Sequence, residues 1–65
     1  MRYKVYAYHN GSQMSQRVIA ETDDYVTATR TADREFNTTN CKRVEVGQVN
    51  PNSLIAECIY SRQKP

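Results

Sequence analysis

With 65 residues and 38% hydrophobic content, the chain is one domain at most. Such a domain buries only about 60% of the surface its unfolded form exposes, which excludes a large enzyme and leaves a narrow margin of stability. A formal net charge of +2 is too small to signal a nucleic-acid binder by itself. No apolar run is long enough to span a bilayer, and nothing apolar follows the basic Arg2-Tyr3-Lys4 start. Neither a membrane span nor a signal peptide is therefore expected, and a soluble cytoplasmic protein is.

In chain order, Arg2 to Tyr8 alternates as a strand. Tyr3, Val5 and Ala7 point one way, and Lys4, Tyr6 and Tyr8 the other. Asn10-Gly11 is a strong hairpin signal, because both residues tolerate positive φ. Gln16 to Thr22 reads as the returning strand, with Val18 and Ala20 on one face and Arg17, Ile19 and Glu21 on the other. A two-residue turn would set Tyr3 opposite Val18.

Asp23 to Asn37 has the only clear helical period. Tyr25, Ala28, Thr29, Ala32 and Phe36 form one stripe, and Thr27, Arg30 and Arg34 lie opposite, in water. Asp23 is placed to cap the first turn, and Asp24 to favour the positive end of the dipole. The β-branched Val26, Thr27, Thr29 and Thr31 weaken the helix on its own, so packing must hold it. Phe36 is expected at the centre of that packing.

Lys42 to Val49 reads as a third strand with Val44 and Val46 facing the helix. Asn50-Pro51-Asn52-Ser53 suits a turn, and Leu54 to Arg62 is the fourth strand. Its uncharged set, Leu54, Ala56, Cys58 and Tyr60, is assigned inward, which leaves Ile55 and Ile59 outward. Strand directions then give the order 2-1-3-4, every neighbour antiparallel, with the helix on one face. The fold expected is α+β, a ββαββ two-layer domain spanning 1–65.

Chemistry-bearing residues are sparse. His9 is the only histidine and sits in a turn with no partner nearby in sequence. Glu21, Asp23 and Asp24 cluster where the second strand meets the helix, and capping explains them more simply than a magnesium site. Gly11 and Gly47 stand too far apart for a phosphate loop. Cys41 and Cys58 lack metal-ligand spacing and read as free thiols. No catalytic, cofactor or metal site is expected, and the chain reads as a non-enzyme.

Two surfaces remain. Lys42, Arg43, Arg62 and Lys64 gather at the Tyr8-His9 end of the sheet as a basic patch, away from the acids at the other end. The sheet face away from the helix carries Tyr6, Tyr8, Ile19, Ile55 and Ile59 among Lys4, Arg17, Arg43 and Glu45. Apolar and aromatic residues rimmed by charge mark contact surfaces. The expected partner is therefore another protein or a second copy. A rival reading has Tyr6 and Tyr8 stacking nucleic-acid bases beside the basic residues, though the glycine-aromatic signature of RNA-recognition domains is absent.

The succession Y-K-V-Y-A-Y, R-V-I-A-E-T-D-D, an alanine-bearing helix ending E-F-N, R-V-E-V and a last strand resembles the small ββαββ proteins of phages and plasmids. Among these are anti-CRISPR inhibitors of multi-subunit CRISPR complexes. The resemblance covers nearly the whole chain as a pattern of elements, without a diagnostic motif, and transfers no functional residue. It implies a phage-encoded, stoichiometric inhibitor that blocks a larger host protein or ribonucleoprotein complex in the host cytoplasm. DNA-mimicking inhibitors are strongly acidic and this chain is not, which favours occlusion of a protein surface. A dimeric phage structural or accessory protein is a further reading.

Overall fold

The computed structural model describes residues 2–10, 12–52 and 55–65. Four strands, β1 (Arg2–Tyr8), β2 (Gln16–Thr22), β3 (Arg43–Val49) and β4 (Ala56–Gln63), surround one helix in sequence, α1 (Tyr25–Thr38). The strands form a single antiparallel sheet in the order β2-β1-β3-β4, with α1 packed on one face. This is the α+β architecture that strand direction requires.

The centre of the sheet is the uninterrupted β1–β3 ladder, from Arg2 opposite Val49 to Tyr8 opposite Arg43. It brings Val5 against Val46 and Ala7 against Val44. These four, with Ala28 and Ala32 of α1 and with Cys41, form the buried core. Each fully buried valine contributes on the order of 1.5–3 kcal/mol relative to exposure. The two alanines let the helix backbone sit close to the sheet.

Several expectations need correction, most of them for one physical reason. β2 and β4 each carry one extra residue against their partner. Val5 faces Ala20 while the next residue, Tyr6, faces Val18, so Ile19 has no opposite number. Val46 faces Tyr60 while Gly47 faces Cys58, and Ile59 is the extra residue. A bulge inverts the alternation on its far side. Ile19 and Ile59 therefore pack against the helix-side core rather than on the outer face. Val18, Ala56 and Cys58 lie on the open face rather than inward, and Arg17, opposite Ala7, lies on the helix side. Tyr60 faces the helix as expected.

The β1–β2 connection is also longer than a two-residue turn. Tyr8 faces Gln16 and Tyr3 faces Thr22, and a 3-10 turn, Gln13–Ser15, fills the gap. The Ser12 hydroxyl accepts from Met14 N–H at 3.2 Å, and the Ser15 hydroxyl donates to Ser12 O at 2.7 Å. The facing assigned to Leu54, and the conformation of Gly11 and Ser53 in their turns, lie outside the described residues.

The helix begins one residue later than its cap was placed. Asp24, not Asp23, is the N-cap, accepting from Thr27 N–H at 2.8 Å and from the Thr27 hydroxyl at 2.5 Å. Those bonds hold the Asp24 carboxyl below its ordinary range. The threonines that weaken the helix bond back onto it: Thr31 to Thr27 O at 2.8 Å and Thr38 to Arg34 O at 2.6 Å. Phe36 is half-buried at the edge of the core, not at its centre. Arg62 and Lys64 cover its ring at 4.5 and 5.2 Å.

Candidate interaction face of the sheet

On the face away from α1, register places Lys4, Tyr6 and Tyr8 beside Gln16, Val18 and Glu21 of β2. On the other side stand Arg43, Glu45 and Gly47, then Cys58 and Ser61. Tyr8 is the fixed point of this face. Its phenol donates to Glu45 Oε1 at 2.6 Å and accepts from Gln16 Nε2 at 2.6 Å. The Arg43 guanidinium lies 4.7 Å from the ring centroid and pairs with Glu45 Oε2. With these neighbours Tyr8 is only 1% exposed, although no helix covers this side.

The electrostatics follow from that closure. Burial, then the Glu45 carboxylate, pushes the Tyr8 phenol up. Burial alone would raise Glu45, but the bonds from Tyr8 and Arg43 outweigh it and hold the carboxyl below its ordinary value. The Glu45 bond raises Arg43 further. Beside this network the Tyr6 ring lies over Gly47: a Cβ there would meet Tyr6 Cε2 at 2.9 Å and Ala56 Cβ at 3.2 Å. A shallow groove of about 170 Å³ runs between Tyr6, Gln16, Glu45, Ala56 and the exposed Cys58.

Of the residues expected to bind a partner, Tyr6 and Tyr8 stand on this face, with Tyr8 closed off by its network. Ile19 and Ile59 face the helix, as described. Ile55 precedes β4 and is 77% exposed. Val18, Ala56 and Cys58 join this face only through the bulges, which nothing in an alternating sequence announces.

The four basic residues do share one end of the sheet. Lys42 N–H donates to Tyr8 O at 2.8 Å, and Lys64 N–H to Lys42 O at 2.9 Å. They divide between the two faces, however. Arg43 belongs to the Tyr8 network, while Arg62 bonds Asp33 at 3.2 Å and covers Phe36 from the helix side. Asp33 also accepts from the Tyr60 hydroxyl at 2.5 Å, which raises that phenol. Lys64 Nζ donates to Thr39 O at 3.1 Å, at the C-terminal end of the helix. These cations hold the last strand to the helix.

Elsewhere, His9 is exposed. Glu21 lies within 3.9 Å of both Arg2 and Lys4, and Asp23 borders an open cleft of about 430 Å³ with Arg2, Val49 and Pro51. Among the described residues no group of three His, Cys, Asp or Glu side chains could hold a metal ion, and no helix is long and apolar enough to cross a membrane. Comparison with models of protein families, with curated proteins and with solved structures finds no match to this chain.

Proposed function

We propose that the chain is a non-enzymatic binding protein that acts by occluding part of a larger protein surface. It would work in a host cytoplasm, in the manner of the phage inhibitors of multi-subunit CRISPR complexes that its layout resembles. The observation that carries this reading is the open face itself. Tyr6, Val18 and Ala56 stand on a rigid antiparallel scaffold beside a closed polar network, the mixture of apolar centre and fixed polar groups found at protein contacts. Of the cations on this face, Arg2 and Lys4 share the Glu21 carboxylate and Arg43 pairs with Glu45. Phosphate binding draws on cations free to replace counterions, so the arrangement favours a protein partner over a nucleic acid.

The test is a phage challenge of cells that carry a multi-subunit CRISPR system and express the protein. Restored plaquing of a targeted phage is the expected result, with the restoration lost in Tyr6→Glu and Val18→Glu variants that retain the parent's circular dichroism. Restoration by those variants as strong as by the parent would place the contact elsewhere. No restoration, together with steeply salt-dependent affinity for random oligonucleotides, would replace this reading with nucleic-acid binding.

A further inference from the structure

We propose that the open face also receives a second copy of this chain, as a weak, reversible, face-to-face dimer. This goes beyond the reading above and does not require it. The first ground is charge. The face carries three cations and two carboxylates, and every cation is paired inside it: Arg2 and Lys4 with Glu21, and Arg43 with Glu45. A strongly charged partner finds most of these charges already paired, whereas a second copy brings a face with one net positive charge, a like-charge barrier that is small and screened by salt.

The second ground is shape. The β1–β2 half is high, built by Tyr6, Gln16 and Val18, the last 55% exposed. The β4 side is low, with Ala56, Cys58 and Ser61, while Gly47 of β3 lies beneath the Tyr6 ring. A two-fold axis parallel to the strands, lying between β1 and β3, sets the high half of each copy on the low side of the other. Self-complementarity of this kind is what an isologous pair needs. An axis across the strands would set high on high. Because Val18, Tyr6, Glu45 and Ser61 share one row of the sheet, the axis along the strands brings Val18 of each copy over Ser61 of the other.

Area sets the strength. Four strands about 4.8 Å apart and seven residues long at about 3.3 Å each present about 440 Å² per copy. The pair then buries about 900 Å², below the roughly 1,200 Å² where stable complexes begin. Association is therefore weak and transient, and any partner that occupies the same face competes with it.

Sedimentation equilibrium from about 10 μM to about 1 mM, a span suited to weak contacts, should show a reversible monomer–dimer equilibrium. Val18→Lys, or Ala56→Lys should the first fail to fold by circular dichroism, should weaken it at least about tenfold, since a charge is buried without a partner. Val26→Lys on the exposed side of α1 should leave it unchanged. In a Cys58→Ser background, oxidising a mixture of Val18→Cys and Ser61→Cys chains should give the mixed disulfide in preference to either symmetric one. A monomer at the highest concentration, a dimer indifferent to the face variants but lost with Val26→Lys, or symmetric disulfides in preference to the mixed one would overturn the proposal.

Discussion

A tyrosine on the uncovered face of a small sheet ordinarily keeps part of its ring in water, yet Tyr8 does not, because Gln16, Arg43 and Glu45 close over it. That closure gives the protein a signature in pH. Glu45 has a folded pKa below its ordinary value, so the stabilisation it contributes is present above the ordinary carboxylate range. It is lost as pH falls through the lower folded value. Tyr8 has the opposite sign: its raised pKa gives stability that is complete below the ordinary phenol value and lost as pH rises through the folded one. Urea midpoints should fall toward both acid and strong alkali. The acid fall should be shallower in Glu45→Gln, and the alkaline fall shallower in Tyr8→Phe. An acid fall identical in parent and Glu45→Gln would mean that the carboxylate is not held as described. At the neighbouring Gly47, alanine should cost about 1–2 kcal/mol through overpacking against Tyr6 and Ala56. Much of that loss should be recovered in a Tyr6→Ala background.

At the scale of elements, much of the fold is legible in the sequence because the central strands obey their period without interruption. Tyr3, Val5 and Ala7, and Val44 and Val46, alternate on an unbroken ladder, and the stripe Ala28–Ala32 meets them where a 3.6-residue period requires. The outer strands depart from simple alternation beyond Ile19 and Ile59, since a bulge is a tertiary choice that costs a ladder position and leaves no mark on alternation. It is taken up at matching places on both edges, one step from the central Val5–Val46 pair, and each time it turns an isoleucine onto the core. Interrupting an edge also makes it a poorer template for chance pairing with other strands. Ile19→Lys and Ile59→Lys should therefore unfold the protein or lower its urea midpoint sharply, while Val18→Lys changes the midpoint little. The reverse ranking would restore simple alternation. Phe36→Ala should cost about 2 kcal/mol, less than for a fully buried ring because Phe36 is only half-buried. Lys64 and Arg62 then lose the surface they cover.

For the whole molecule, the sheet is a partition, and the two cysteines report on its two sides. Cys41 is buried at the helix end of the core, 4% exposed, and Cys58 is exposed on the open face. No bond between them can form within one folded chain, because each lies on its own side of a hydrogen-bonded sheet. A thiol reagent added to the native protein should therefore consume one equivalent at the rate of an exposed thiol. The second equivalent should wait for opening of the core. A domain of this size has a global stability of roughly 3–10 kcal/mol, so an EX2-like regime would slow Cys41 by a factor of about 10² or more relative to Cys58. Cys58→Ser should abolish the fast phase and leave the slow one, and added urea should accelerate the slow phase toward the fast. Fast reaction of both thiols in native buffer would mean that the segment after α1, which the Thr39 and Lys64 contacts tie down, opens independently of the core. Two slow thiols at high protein concentration and a fast Cys58 on dilution would instead report the covering of the open face by a second copy, in a measurement that never needs the partner to be named.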